Sequence, residues 1–394
     1  MSFSIYSKID QQDKHKIIQQ ESRKPLKTKH IPNLQRNLKS GWLLLYLYHY
    51  DAILHGRWEY WSKLQLVPAS KIHFLYELNS EKRKANIQQH ILPPEPIPQI
   101  FFSEDSSLNC KGDKMIQICL EAMLTKGGYG NLLARIEYLL DWLLYGFGHP
   151  ISAELPQEPD GCQGCSMALY QLFDLFPLLY QPQDYWGYLI AEAKGTKSQK
   201  HTGFFPTPIS VSTMMAKMLI NDSLDSRLNV AYEPAIGTGT MTLELSNHTL
   251  NIVGVDVDKL LLKATLVNWF LYCPWFAMPV FYLVEQTDLL WGNALVSQED
   301  PNAPQSIHQK YWKDRYQDIC SVNLSDQNLL EAIKDFNNLL LSESSNQQLK
   351  QVNKAESESS SIFSQATHSN NSSKSQMPKR FKRANSTGKP NSLF

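Results

Sequence analysis

The sequence predicts an α/β fold: a parallel sheet with crossover helices, preceded by an all-helical domain. Three observations carry this. Between residues 204 and 284, short apolar runs alternate with helical patterns, and such alternation builds parallel sheets. Residues 41–195 instead repeat apolar residues at helical spacing. A glycine-bearing turn, AYEPAIGTGTM at 231–241, sits where a strand feeds a helix.

The 394 residues leave room for two modest domains plus tails. Lys+Arg and Asp+Glu balance at 38 each, so net charge selects no partner. The ends are basic: residues 1–40 hold nine Lys/Arg against three Asp/Glu, and 374–394 hold six Lys/Arg and no acid. Such ends are compatible with nucleic acid but are more often just solvated tails. Six cysteines do not make a disulfide scaffold. No apolar signal follows Met1, so a cytoplasmic location is expected. No membrane span is expected either. Trp42–Leu54 is too short and carries His49 and Asp51, while Pro274 and Pro279 interrupt the uncharged stretch Val267–Val284.

Along the chain, residues 1–40 form a basic polar segment without sustained periodicity. Residues 41–195 form the helical domain. Its segment 79–113 contains LPPEPIP, whose prolines block helix and favour an extended linker. Asp113 is the expected cap of a helix bearing Met115, Ile116, Cys119, Leu120 and Met123. A second helix carries Leu132, Leu133, Ile136, Leu139, Leu140 and Leu143, and a third covers Ser166–Leu179. The α/β domain spans 196–341. Thr207 is its first expected cap, with Pro208 at the first helical position. Strands are expected at 229–232, Asn251–Val255 and Val280–Val284. Helices are expected at 240–247, after Asp258, and at Asp326–Leu341. Residues 342–394 are Ser/Asn/Gln-rich with few apolar residues, and are expected to be disordered.

The glycine turn excludes two ligand motifs. No Lys-Ser/Thr follows Gly239, so it is not a GxxxxGK phosphate loop. Thr242 stands where a dinucleotide fingerprint needs its third glycine. What remains is acid-Pro-Ala-x-Gly-Thr-Gly, with Asp256 ending the next strand. Gly237 and Gly239 let the backbone approach an adenosine-type ligand. Glu233 can pair with a cationic amine, and Asp256 can accept two ribose hydroxyls. S-adenosylmethionine presents those groups. A tight strand-to-helix turn with no ligand is the alternative.

YEPAIGTGTM resembles the D-P-A-C-G-S/T-G-G motif of the N6-adenine DNA methylases, and is closest to the modification subunits of type I restriction systems. Four further stretches fall in that family's order. HTGFFPTP (His201–Pro208) resembles its G-Q-F-aromatic-T-P segment, and DYWGYLIAE (Asp184–Glu192) its D-x-x-G helix. Gly254–Asp258 resembles its post-strand acid motif, followed by a helix with Ala264 and Asn268. Gly292–Leu295 matches its G-D/N-A/S/T-L. The resemblance covers about residues 184–295, less than a third of the chain. It implies an incomplete Rossmann-like, S-adenosylmethionine-dependent methyltransferase fold. It also implies that Phe205, Thr207 and Pro208 line one side of the cofactor pocket. Glu233, Ala235, Gly237 and Gly239 would form the floor, with Asp256 on the ribose and Asn293 on the adenine edge. Ile236 replaces the family's Cys and Thr240 its second Gly, which narrows the turn.

The family's catalytic Asn/Asp/Ser-Pro-Pro-aromatic motif localises the lone pair of the exocyclic amine and stacks on a flipped adenine. No such tetrapeptide follows Asn293. The nearest stretch is YQDICSVN (Tyr316–Asn323), where Asp318 and Asn323 keep the family's spacing, making Asn323 the catalytic candidate; Leu-Ser-Asp follows it. Cys273-Pro274-Trp275-Phe276 has a similar composition but lies on the wrong side of Gly292, and a hydrophobic connection is the favoured reading. The resemblance thus implies methyl transfer to adenine N6 in DNA, with DNA and methylase or specificity subunits as partners. The alternative is an inactive relative that binds cofactor or a partner subunit. No metal is expected, because Cys162 and Cys165 lack a second pair and His149 is only a loose third ligand. The Lys379–Arg383 cluster and KYWKDRY (Lys310–Tyr316) are candidate nucleic-acid contacts, weighed against a solvated tail and an aromatic core face.

Overall fold

The computed structural model describes residues 11–23, 39–65, 67, 71, 74–75, 77–103, 110–124, 131–202, 204–220, 226–280, 282–283, 287–297 and 299–312. The fold is mixed α/β, with many helices around a small sheet. The helical part comprises α1 (Gln11–Arg23), α2 (Leu44–Leu54), α3 (Arg57–Gln65), α4 (Ser80–His90), α5 (Lys111–Ala122), α6 (Leu132–Phe147), α7 (Cys165–Leu172), α8 (Phe176–Tyr180) and α9 (Gly187–Thr202). There follow α10 (Ile209–Leu219), β1 (Val230–Glu233), α11 (Thr240–Leu245), β2 (Asn251–Asp256), α12 (Lys259–Tyr272), α13 (Pro274–Ala277), β3 (Asp288–Trp291) and β4 (Gln305–Ser306).

The sheet order is β1-β2-β3-β4. β1 pairs in parallel with β2, setting Glu233 opposite Gly254, and β2 in parallel with β3, setting Asp256 opposite Trp291. β4 closes the far edge antiparallel to β3. The outer edge of β1 has no strand partner among the described residues, and Val230 and Tyr232 are exposed there. Helix α10 beside α11 likewise exposes Met214, Met218 and Leu219.

Helix α12 is the centre of the molecule. Apart from Lys259 and Lys263 near its start it is largely apolar, and from Ala264 to Tyr272 it is buried throughout. It packs on α6 and on β2 and β3. One hydrophobic cluster therefore runs from Trp58, Trp61 and Trp142 of the helical part to Trp269, Phe270 and Trp275 beside the sheet. No described helix is long and apolar enough to cross a membrane.

Several expected elements shift. Among the described residues of the strand expected at Val280–Val284 there is no strand pairing: Val280 is buried, and Tyr282–Leu283 form a helical turn. The third strand is DLLW at Asp288–Trp291. The helix before Met115 is capped by Cys110, whose sulfur accepts from the Asp113 amide, with Asp113 inside the first turn. Pro208 is itself the extended cap of α10, so Thr207 lies one residue outside. The helix expected over Ser166–Leu179 breaks at Phe173, and in the helical part before it α2 and α3 are separated at Gly56, which is left-handed. Helices α1 and α4 were not expected. Asp258 does cap α12, accepting from the Leu260 amide at 2.9 Å.

Candidate cofactor site

β1 ends where Pro234 removes the next amide donor. Pairing resumes once, as the Ile236 amide donates to Val255 O at 2.9 Å. Gly254 leaves room for Ile236, whose Cδ1 would stand 2.2 Å from a Cβ there and would have to shift. The chain then turns through Gly237 (φ 57°) and Gly239 (φ 82°), both in the left-handed region that favours glycine. The Gly239 amide closes the turn onto Ile236 O at 2.8 Å, and α11 starts at Thr240. From below, Thr265 Oγ1 donates to Gly237 O at 2.8 Å and Asn268 Nδ2 to Thr238 O at 2.9 Å. The Phe204 ring covers Gly237, within 3.2 Å of where a Cβ would sit.

Asp256 ties this turn to the next strand. Its carboxylate accepts the Gly237 amide on Oδ2 and the Asp258 amide on Oδ1, both at 2.9 Å. The Gly292 amide donates to the Asp256 carbonyl at 2.9 Å, bringing the end of β3 alongside. Glu233, Asp256 and Asn293 thus lie at or just beyond the carboxyl ends of three adjacent parallel strands, where open α/β sheets bind ligands. Burial raises the carboxyl pKa of Glu233, partly offset by the Ala235 amide. Burial also raises that of Asp256; the Asp258 and Gly237 amides counter it, and the Asp258 charge adds to it. Lys194 forms an ion pair with Asp258, and its ammonium lies 5.5 Å from the centre of the Phe204 ring.

The structure places Gly237, Gly239 and Asp256 together, with Glu233 and Ala235 leading into the turn. Phe205 is 66% exposed, and Thr207, Pro208 and Ala235 are also exposed. Asn293 is exposed, and its Oδ1 accepts the Leu295 amide at 3.0 Å. Asn323, the helix expected at Asp326–Leu341 and the basic cluster Lys379–Arg383 lie outside the described residues. Cys273–Phe276 is fully buried around α13, so it is a core connection and not a base-binding loop.

Beyond opening the DYWGYLIAE stretch, Asp184 had no expected role, yet it holds both threonine side chains of the turn. Asp184 accepts from both threonines that flank Gly239, from Asn268 and from two backbone amides. The usable signal was Thr265 and Asn268, two polar residues three apart on the buried stretch of a largely apolar helix.

Cys162 and Cys165 are buried, and burial pushes the Cys165 thiol up to about 12. His149 gives neither nitrogen to them: Nδ1 accepts the Ile151 amide and Nε2 bonds His308. No group of three or more metal-ligating side chains occurs among the described residues. Comparison with family models, with curated proteins and with solved structures gives no match for this chain.

Proposed function

We propose that the chain binds S-adenosylmethionine on the 233–240 turn, in an incomplete Rossmann-like methyltransferase fold. Its reaction would be methyl transfer to adenine N6 in DNA, as in the N6-adenine DNA methylases it resembles. One observation carries the reading: the Gly237 amide is already occupied by the Asp256 carboxylate. A phosphate-binding turn points free amides at an anion. Here a protein anion takes that place, and Glu233 adds a second carboxyl whose burial makes its charge costly. A cationic ligand offsets that cost; a phosphate adds to it. S-adenosylmethionine is cationic at sulfur and at its amine.

When bound, the cofactor supplies an electrophilic methyl group. Asp256 keeps free lone pairs for ribose hydroxyls, and Glu233 holds the amine. The exposed Phe205 and Pro208 offer apolar cover, and Asn293 an amide edge. DNA and methylase or specificity subunits are the proposed partners. A second reading is an inactive relative that retains the cofactor turn, favoured by the Leu-Ser-Asp after Asn323.

Two substitutions test these readings. Asp256→Ala is expected to weaken S-adenosylmethionine binding at least tenfold, about 1.4 kcal/mol, by removing charge-assisted hydrogen bonds. Unchanged affinity by calorimetry would remove Asp256 from the site. Any methyl transfer to DNA is expected to vanish in Asn323→Ala. Transfer that persists rejects a catalytic Asn323, and no transfer by the wild type with partner subunits present favours the inactive relative.

A further inference from the structure

We infer that Asp184 is the positioning residue that locks the 237–240 turn in its ligand-binding shape, an inference that rests on reading the turn as the cofactor loop. Its Oδ1 accepts the Trp186 amide at 3.0 Å, the Gly187 amide at 3.2 Å and Asn268 Nδ2 at 2.9 Å. Its Oδ2 accepts Thr238 Oγ1 at 2.5 Å and Thr240 Oγ1 at 2.7 Å. A carboxylate offers about four lone-pair sites, so these five donors saturate it. Asp184 therefore acts on the turn and has no acceptor capacity left for a ligand.

The turn needs such a clamp. Two left-handed glycines one residue apart lose more backbone freedom on ordering than any other pair. Asp184 holds the residues on both sides of Gly239, and both threonines are buried. Charge-assisted hydrogen bonds are the stronger kind. The clamp itself is fixed in the helical part. Gln183 Nε2 donates to Asp113 Oδ1 at 3.2 Å, the buried Tyr185 hydroxyl donates to Gln181 O at 2.5 Å, and Trp186 is fully buried. Gly187 completes the fit: a Cβ there would stand 2.7 Å from Asp184 Oδ2 and 3.1 Å from Thr238 Oγ1. The helical part thereby sets the shape of the turn.

The test compares Asp184→Ala, Asp184→Asn and the double variant Thr238→Val with Thr240→Val. Each is titrated with S-adenosylmethionine and followed by amide hydrogen exchange over residues 233–243. The carboxamide in Asp184→Asn can accept from the same three N–H groups and donate to both threonine oxygens. Asp184→Ala and the double valine variant are expected to bind at least about tenfold more weakly and to exchange faster in this segment. Asp184→Asn is expected to recover both. A purely structural role would lower thermal stability but leave the affinity of the folded protein unchanged, and wild-type affinity in Asp184→Ala overturns the inference. If Asp184→Ala fails to fold, the double valine variant decides. If the wild type itself does not bind, the cofactor reading fails; faster exchange in the variants then keeps the clamp, and unchanged exchange removes it.

Discussion

Arg57→Ala is expected to destabilise the fold by about 3–5 kcal/mol, since it leaves several buried acceptors short of a donor at about 1–3 kcal/mol each. The guanidinium is completely buried. Nε donates to Pro98 O at 2.8 Å, and Nη1 to Ser246 Oγ at 2.6 Å and Tyr272 O at 2.8 Å. Nη2 donates to Asn247 Oδ1, and the group lies 5.2 Å from the Trp275 ring centre. One side chain thus satisfies the end of α12, the residues after α11 and the Pro-rich segment. Its removal takes a donor from four acceptors, of which Asn247 Oδ1 keeps the Ile100 amide, and opens a cavity among aromatic rings. It also withdraws a favourable charge from Asp51, whose carboxyl burial already pushes up to about 7. Arg57→Lys restores charge but not the planar fork, so partial rescue at most is expected. Urea unfolding measures the change, and a loss below about 1 kcal/mol, the size of a single exposed pair, would contradict this role.

Acid is expected to weaken the fold through a second buried pair. The Ile151 amide donates to His149 Nδ1 at 3.1 Å, so that nitrogen carries no proton. His149 Nε2 then donates to His308 Nδ1 at 3.0 Å, and His308 Nε2 to Phe276 O at 2.7 Å. The relay fixes both rings as neutral tautomers, with Trp269, Phe270 and Trp312 around them. A proton on either Nδ1 breaks a hydrogen bond and buries a charge. Burial lowers the His308 pKa to about 4, and burial together with the neighbouring ring lowers that of His149 well below the usual imidazole range. The folded state therefore binds fewer protons than the unfolded chain between about pH 6.5 and 4. Stability from this pair is present above 6.5 and lost as pH falls through that window. For His308 alone the loss is about 3 kcal/mol. Asp51 works in the opposite direction, since its folded pKa is raised. The stability difference between wild type and His308→Gln cancels that contribution. It is expected to shrink by about 3 kcal/mol between pH 7 and pH 4, and a difference independent of pH would show that the rings titrate normally.

The parallel sheet and its glycine turn were legible because both are written locally. Pro234, Gly237 and Gly239 punctuate a strand and start a helix within ten residues, and Asp258 caps its helix by its own side chain. The third strand was misplaced because Val280–Val284 satisfies an apolar strand pattern. What defines β3 is instead tertiary: Asp288 accepts Ser306 Oγ at 2.9 Å and the Gln309 amide at 2.8 Å, pinning the segment from a distance. The partners of Asp184 were hidden for the same reason, since they lie 54, 56 and 84 residues away. The His149–His308 relay spans 159 residues and leaves no local trace. Caps and turns can be read from neighbours in sequence; clamps between layers cannot.

The 233–240 turn is proposed to hold a cationic adenosine cofactor. Calorimetric titration of the purified, folded chain with S-adenosylmethionine, beside ATP as an anionic adenosine ligand, tests it most directly. Binding of S-adenosylmethionine with a Kd of about 1–100 μM, roughly 5–8 kcal/mol, and far weaker binding of ATP is the predicted result. Equal or stronger ATP binding would contradict the cationic reading. No heat with either ligand would mean that the glycine turn shapes the sheet and holds no cofactor.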